Sequence, residues 1–482
     1  MSDGWEFPDA ASIATDDLSW KRFDPRETSN VTGRVIDDAV VVIPGIMGTE
    51  LIDAATGKLL WGMSPGLLAR LWTAPVRYLK PLQFDPENNT VVPGRLLRLP
   101  SFAPVLAGIE PYSRLVAKLR TVVRHPSAVS EFGYDWRRPV VDNARVLAEA
   151  IDRHLSMWRA QSDRPDARVH LVAHSMGGLL CRALAAIPGA TDHVGSVITL
   201  GTPFEGAAKA ALLLATGQGA PLRAQGMRQV AVTMPGIYDL LPSYRCVDEG
   251  TTARCLTAAD IGAVGASTDL AAEAFAQRDR MAAIALPSHR PLIGVAQRTM
   301  CSLTLEAGCL EPQFHTFAVD ADGALARHDN GTLRRLTGLG DGTVPRNSAV
   351  PPHHHEPMPL PQQHGAIART DEAIAFVVDR LLHRDFGPRL GDGEIGVLTP
   401  DVVRVGTEFE IEVSGSAHPN DIRTTLFDAA TGERVAGPDA QRRDGRLVVM
   451  TSIFQPGLYR IAVAGGATSA VTQLVLAVDD DR

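Results

Sequence analysis

The chain has 482 residues, of which 45% are hydrophobic and 21% are charged, a composition typical of a globular protein. This length and composition exclude a wholly disordered chain, a collagen-like chain and a very small domain held together mainly by disulfides. The formal net charge of −8 at pH 7 provides no basic surface for a phosphate backbone, so we expect no nucleic-acid partner.

The amino-terminal segment, residues 1–36, is polar, rich in Asp, Ser and Thr, and without periodicity. This pattern predicts a surface arm that carries no chemistry. Its acidic residues stand where a secretory signal needs basic ones, and the chain contains no apolar stretch long enough to span a bilayer. We therefore predict a soluble, cytoplasmic protein.

The five cysteines are Cys246 and Cys255, Cys301 and Cys309, which form two locally spaced pairs, and Cys181. Reduced thiols are favoured because no export signal is present, and one or two small disulfide loops remain the alternative.

Residues 37–388 alternate between strand and helix patterns, which predicts a mostly parallel α/β sheet. Buried strands are predicted at 39–43, 169–172, 194–200 and 291–295, and helices at 111–123, 143–158, 177–186 and 371–383. Two segments, at about 55–90 and 204–288, are predicted to form a lid and a mostly helical cap over the carboxyl end of the sheet. A β-hairpin is predicted at 314–333.

Residues 392–482 change to short runs with period-two alternation, separated by turn residues such as those of Ala429–Gly432. This pattern predicts a small Ig-like β-sandwich domain. The sandwich carries no catalytic constellation, so we expect it to recruit a protein partner, to shield or to stabilise.

The predicted strand at 169–172 runs into Ala173-His174-Ser175-Met176-Gly177, and a helical pattern follows. Small residues on both sides of a serine, between a buried strand and a helix, indicate a nucleophile elbow. Ser175 is therefore the predicted nucleophile, and a small-residue turn with a surface serine is the alternative. His174 is interpreted as a packing or supporting residue of the elbow.

A serine hydroxyl needs a base to attack an ester, and the base needs an orienting carboxylate. In this fold class the two partners follow the serine in the order Asp, His. Asp341 lies in the loop-forming run Gly340–Pro345, and His364 precedes the last helix of the domain. We predict Asp341 as the acid and His364 as the base, with an ordinary turn aspartate as the alternative for Asp341.

Two backbone amides are expected to stabilise the oxyanion that forms when the serine attacks. The candidates are the amides of Met176, directly after the nucleophile, and of Ile46, in the glycine-containing loop Pro44–Gly48. The alternative is that this loop only ends a strand.

Competing sites are His353–His355 with Glu356, and Asp320 with Asp322. The histidine tract is a candidate metal site or base, but consecutive histidines on a Pro-flanked loop rarely face one ion, which favours a solvated loop. The two aspartates lack the remaining ligands of a calcium loop, which favours a hairpin turn. We expect neither a metal nor a cofactor.

Together these motifs resemble the lecithin:cholesterol acyltransferase-like α/β-hydrolases, a family of lipases, phospholipases A and acyltransferases. The resemblance covers residues 40 to about 385 and depends on Val42–Gly48, Gly133–Arg137, Ala173–Gly177, Leu200–Pro203 and Gly340–Val344. It implies the same roles for Ser175, Asp341, His364, Ile46 and Met176. It also implies that the apolar stretch containing Trp61 and Trp72 contacts the lipid, with packing beneath the cap as the alternative.

The leading hypothesis is a serine hydrolase that cleaves lipid esters, or other acyl esters, through an acyl-enzyme and contacts a membrane surface peripherally. Hydrolysis is favoured over O-acyl transfer, because no binding site for a second alcohol is evident. The alternatives are a catalytically silent hydrolase scaffold that acts as a binding or effector module, and a serine peptidase.

Overall fold

The computed structural model describes the side chains or backbone of residues 35–62, 80–87, 89–98, 100–103, 107–109, 111–216, 224–320, 322–350, 357–383, 395–416, 418–465 and 470–479. Its central sheet has six parallel strands in the order β6-β5-β4-β3-β1-β2. They are β1 (Ala39–Ile43), β2 (Val129–Glu131), β3 (Val169–His174), β4 (Val194–Leu200), β5 (Arg290–Gly294) and β6 (Met358–Leu360). Every residue of β1 and β3 is buried, as expected for strands covered on both faces.

Helices lie between and after these strands in the chain. They are α1 (Ser113–Val122), α2 (Val140–Ser162), α3 (Met176–Ala185), α4 (Ala208–Thr216), α5 (Ala224–Ala231), α6 (Pro235–Tyr238), α7 (Ala258–Ala263), α8 (Thr268–Met281) and α9 (Asp371–Leu381). In α2 the residues Leu147, Ile151, Leu155 and Trp158 form one buried stripe at helical spacing. Among the described residues, none of the helices is both long and apolar enough to cross a membrane.

Smaller sheets, the first below antiparallel and the second mixed, are attached to this core. One contains Thr49–Asp53, Leu59–Trp61 and Val91–Leu96, and another contains Arg245–Asp248, Ala253–Cys255, Ser302–Glu306 and Cys309–Gln313. Two-stranded pairs join Ser101–Ala103 to Ala107–Ile109, Gln297–Arg298 to Leu339–Gly340, and His315–Phe317 to Arg335–Thr337. The prediction of a mostly helical segment at 204–288 therefore missed two strands, Arg245–Asp248 and Ala253–Cys255, which are too short to show periodicity.

The five cysteines are free thiols in the structure, and reduced thiols were the favoured prediction.

Asp320 and Asp322 belong to a turn, in which the Gly323 amide donates to the Asp320 carbonyl and the Ala324 amide donates to the Asp322 carboxylate. In the ranges that the structure covers, no group of three or more His, Cys, Asp or Glu side chains is arranged to hold a metal ion.

Residues 395–479 form two further sheets. One contains β7 (Gly396–Leu398), β9 (Glu408–Ser414), β12 (Ala440–Arg443) and β13 (Arg446–Ser452), and the other contains β8 (Val402–Arg404), β10 (Arg423–Asp428), β11 (Arg434–Ala436), β14 (Gly457–Ala464) and β15 (Val471–Val478). Ile411 and Val449 from the first sheet share a buried apolar cluster with Ile461 and Val475 from the second. The α/β-hydrolase fold with an added β-sandwich is thus confirmed.

The predicted boundary between the two domains, residues 388–392, lies outside the described residues. So does most of the predicted amino-terminal arm. Ile36, the last residue of that arm, is buried and pairs with Val123.

Candidate active site

Ser175 stands at the carboxyl end of β3, where the chain turns sharply into α3. Its backbone has φ 52° and ψ −126°, a conformation that is rare for residues with a side chain and typical of a nucleophile elbow. The turn packs tightly on β1, since a Cβ atom at Gly177 would lie 2.6 Å from the Pro44 carbonyl oxygen. A small residue at 177 is therefore a steric requirement of the elbow.

Three side chains from separate loops meet at this point. Ser175 Oγ lies 2.8 Å from His364 Nε2, and His364 Nδ1 lies 2.7 Å from Asp341 Oδ2. Ser175 and His364 are 5% and 8% exposed, and Asp341 is 1% exposed. The three residues singled out from the sequence therefore form one continuous line of hydrogen bonds.

Asp341 is held in one orientation by the backbone around it. Its Oδ1 accepts hydrogen bonds from the amides of Thr343 and Val344, at 3.0 and 2.6 Å, which leaves Oδ2 for the imidazole. The His364 amide also donates to the Asp341 carbonyl, at 2.8 Å. A carboxylate only accepts hydrogen bonds, so Nδ1 of His364 carries the proton and Nε2 is free to accept the Ser175 hydroxyl proton.

The two predicted oxyanion donors lie beside the serine. Met176 is the first residue of α3, where a backbone N–H group has no partner within the helix. Ile46 lies in the turn closed by the Gly48 amide and the Gly45 carbonyl, and no acceptor in the described part of the chain is bonded to the Ile46 amide. Both amides are therefore available to a developing negative charge.

The loop that contains Ile46 is fixed from several sides. Trp61 Nε1 donates to the Met47 carbonyl at 2.8 Å, and Tyr134 Oη donates to the Pro44 carbonyl at 3.1 Å. Met47 itself has a positive φ of 62°, which these contacts help to hold. The loop is thus shaped before any substrate arrives.

A second line of hydrogen bonds runs behind the serine through Tyr112 and His174. The Gly45 amide donates to Tyr112 Oη at 2.9 Å, Tyr112 Oη lies 2.8 Å from His174 Nδ1, and His174 Nε2 lies 3.1 Å from the His364 carbonyl. Because that carbonyl only accepts, Nε2 of His174 is the donor and Nδ1 accepts from the tyrosine. This line joins the loop Pro44–Gly48, called the oxyanion loop below after the predicted role of Ile46, to the loop that carries His364.

Burial determines the protonation states of His174 and Tyr112 in this second line. Burial, together with the neighbouring His364, lowers the pKa of His174 to about 3, so that this imidazole is neutral at pH 7. Burial raises the pKa of Tyr112, so that its hydroxyl keeps its proton. Our interpretation of His174 as a supporting residue agrees with these contacts. Tyr112 was missed, because a lone tyrosine before a helix gives no sequence signal.

The serine opens into a cleft at the surface of the domain. Most of the lining side chains are apolar, and the set consists of Gly45, Ile46, Met47, His174, Ser175, Pro203, Ala207, Lys209, Ala210, Leu240, Thr343, Val344 and His364. Such a surface suits an acyl chain.

The expectation that Trp61 contacts substrate is wrong. Trp61 is 5% exposed, packs edge-to-face on Trp136 and is bonded to Met47, so it supports the oxyanion loop from behind. A stretch of large apolar residues is equally compatible with a lid and with a buried layer, and at position 61 the buried layer is observed. Trp72 and the tract His353–His355 with Glu356 lie outside the described residues.

The parallel sheet, the elbow after β3 and the buried Ser, His and Asp side chains define the fold of an α/β-hydrolase. A family model described as the PGAP1-like α/β domain matches residues 137–212, a segment that contains the elbow. No curated protein matches the chain. The membership in the lecithin:cholesterol acyltransferase-like family stays a prediction.

Several solved structures are similar in part. The crystal structure of the Tle4–Tli4 complex is 16% identical, with 72% of this chain and 99% of that chain covered and a TM-score of 0.48. Bacillus licheniformis lipase BlEst2, in its propeptide form, is 11% identical over 93% of this chain and 95% of its own, with a TM-score of 0.36. Phospholipase PlaB from Legionella pneumophila is 12% identical over 76% of this chain and 89% of its own, with a TM-score of 0.23.

Proposed function

We propose that this chain is a serine hydrolase that cleaves acyl esters of lipids through an acyl-enzyme. The observation that carries the proposal is the hydrogen-bonded line from Ser175 through His364 to Asp341, which opens into an apolar cleft. A hydroxyl, a neutral imidazole with a free Nε2 and a fixed carboxylate are the groups that acyl transfer by a serine requires.

In the first half of the reaction, Ser175 Oγ attacks the ester carbonyl carbon while its proton passes to His364 Nε2. The carbonyl oxygen becomes an oxyanion, which accepts hydrogen bonds from the amides of Ile46 and Met176. Asp341 stabilises the imidazolium that has formed. The bond from carbon to the alcohol oxygen then breaks, and the alcohol leaves with the proton that His364 returns.

In the second half, a water molecule gives a proton to His364 Nε2 and its oxygen attacks the acyl carbon. Cleavage of the bond to Ser175 Oγ, with return of the proton from His364, releases the fatty acid and restores the serine. A lipid alcohol in place of water would give acyl transfer by the same steps.

The lining of the cleft supports a lipid substrate. Apolar side chains such as Met47, Leu240 and Val344 contact an acyl chain without loss of hydrogen bonds.

The test is covalent labelling by a fluorophosphonate, which reacts with activated serines, together with hydrolysis of a panel of esters. Wild-type protein should be labelled at Ser175, and Ser175→Ala should lose both label and hydrolysis. The panel contains phosphatidylcholine, phosphatidylglycerol, diacylglycerol, triacylglycerol and p-nitrophenyl butyrate, with and without a lipid alcohol as acceptor. Folded wild-type protein that takes up no label would contradict the proposal and favour a silent scaffold.

A further inference from the structure

Glutamine side chains connect the β-sandwich to the loops of the candidate active site. Gln297, Gln362 and Gln363 belong to the α/β part, and Gln473 belongs to β15 of the sandwich. Nε2 of Gln363 donates to the Val397 carbonyl at 2.9 Å and lies 3.2 and 3.3 Å from Oε1 of Gln297 and Gln473. Four amide side chains thus meet in one polar interface between the two parts.

Two of these glutamines bind the sandwich in the same way. Gln362 donates to the Ala470 carbonyl at 3.1 Å and accepts from the Thr472 amide at 2.9 Å. Gln297 donates to the Ile395 carbonyl at 3.1 Å and accepts from the Val397 amide at 2.9 Å. Each side-chain amide therefore pairs with the backbone groups on both sides of one sandwich residue, as a neighbouring strand would.

Two of these glutamine side chains are almost completely buried. Gln297 and Gln362 are 0% and 1% exposed. Removing either side chain would leave an N–H and a carbonyl of the sandwich without partners in a partly buried interface, where an unsatisfied polar group is costly. The interface is therefore specific in orientation, unlike an apolar contact that tolerates sliding.

The same glutamines adjoin the acid and the base. Gln362 and Gln363 directly precede His364, and Gln362 Oε1 also accepts from the Gln363 amide at 2.9 Å. Gln297 forms a backbone bridge with Asp341. The Gln363 side chain lies against Gly342, where a Cβ atom would come within 2.3 Å of Gln363 Oε1. One interface thus touches both loops that hold the imidazole and the carboxylate.

We infer that the β-sandwich positions His364 and Asp341 for catalysis, through Gln297, Gln362 and Gln363. The inference rests on the proposed function. It replaces our expectation of a module that only recruits, shields or stabilises, which would tolerate loss of the sandwich without loss of esterase activity. None of the three glutamines lines the cleft, so they act as positioning residues and do not bind substrate.

The experiment compares full-length Gln363→Leu and Gln473→Leu with Gln441→Leu, a control at an exposed position of the same sandwich. The substrate is p-nitrophenyl butyrate, which is short and soluble and reports on the reacting groups. We expect kcat to fall about 10- to 100-fold in Gln363→Leu, since a small displacement of a catalytic group has effects of this size. Gln473→Leu should show a smaller loss, and Gln441→Leu should match wild type.

A change in positioning has a signature that a change in stability lacks. KM and the thermal midpoint of unfolding should stay close to wild type while kcat falls. The rate of fluorophosphonate labelling should fall in parallel, and the low-field proton resonance of the His364 Nδ1–H group should shift or broaden. An unchanged kcat, or a loss that only follows the fraction of unfolded protein, would overturn the inference.

The outcome also separates this inference from the proposed function. If Ser175→Ala keeps its activity, the serine mechanism fails whatever the glutamine variants do. If Ser175→Ala is inactive while Gln363→Leu and Gln473→Leu behave like wild type, the mechanism stands and the role of the sandwich fails.

Discussion

The two ends of the parallel sheet each bring together a serine, a histidine and an aspartate. At the carboxyl end these are Ser175, His364 and Asp341. At the amino end, His170 Nδ1 lies 2.8 Å from Ser196 Oγ, and His170 Nε2 lies 3.2 Å from Asp38 Oδ2. Judged by residue types and distances alone, the amino-end cluster resembles the carboxyl-end one.

The surroundings of the two serines differ. Ser175 stands on a strained turn at the start of α3, with the free amide of Met176 beside it. Ser196 lies within β4, and the next amide, that of Val197, is already bonded to the Pro287 carbonyl. The amide that follows Ser196 is therefore not available to an oxyanion, and three side chains in contact do not by themselves make a nucleophile.

The largest expected effect comes from the two serines. Ser175→Ala should lower kcat by about 10⁶-fold, the size found when a serine nucleophile is removed from a comparable mechanism. Ser196→Ala should leave kcat within about twofold, because no reacting group depends on Ser196. Ester hydrolysis at pH 7 measures both. Equal losses in the two variants would remove the distinction between the clusters.

The aspartates give the next largest contrast. Asp341→Asn should lower kcat about 10⁴-fold, because an amide that donates to His364 Nδ1 imposes the wrong tautomer. Asp38→Asn should change the midpoint of thermal unfolding and leave kcat unchanged. The comparison needs kcat and circular dichroism melting curves for both variants. A large kcat loss in Asp38→Asn would show that the amino-end cluster takes part in turnover.

A matched pair of glycines tests the space around each cluster. A Cβ atom at Gly45 would lie 2.8 Å from Ser175 Cβ, and one at Gly195 would lie 2.7 Å from His170 Cε1. Gly45→Ala should lower kcat about 10- to 100-fold by displacing the serine or the oxyanion loop. Gly195→Ala should lower stability only. If Gly45→Ala retains full kcat, the loop is more adaptable than its contacts indicate.

The smallest effect on activity at pH 7, and the clearest effect on stability, concerns His174. Its pKa is about 3 in the folded chain, whereas an unfolded histidine titrates near 6.5. Between these values the unfolded chain binds more protons, so the free energy of unfolding is fully retained above pH 6.5 and falls as the pH drops toward 3. This one group accounts for a loss of about 2 kcal/mol between pH 7 and 5.

Urea unfolding at pH 7 and pH 5 measures this dependence. His174→Gln should be less stable than wild type at pH 7, because the bonds to Tyr112 and to the His364 carbonyl are disturbed, but its stability should depend less on pH. A variant with the same acid dependence as wild type would assign that dependence to other groups.

Much of the fold and of the candidate site follows from local patterns. The buried run of β3, the small residues around Ser175 and the turn residues around Asp341 are each contained in a few neighbouring positions. The fixed chain order of the serine, acid and base then selects His364. Strand β4 was predicted with its observed ends, because a mostly apolar run that stops at a Gly-Thr-Pro turn is unambiguous.

The remaining features depend on distant contacts. Strand β2 has three residues and exists because β1 pairs with it, so no window of sequence shows it. Tyr112 and His174 are 62 positions apart, and Gln362 is 108 positions from Ala470. Trp61 was misread because its apolar character fits a lid as well as a core. Only the folded chain shows which side chains meet.

The glutamine interface also bears on how the protein is made. A ribosome adds residues in order, so Gln362 leaves it well before its partners Ala470 and Thr472 exist. Hydrogen bonds that span more than a hundred positions form late and after the α/β core has collapsed. A growing chain would therefore expose its serine before the imidazole loop is anchored, and on the inference drawn above its full esterase rate would follow only once the sandwich is in place.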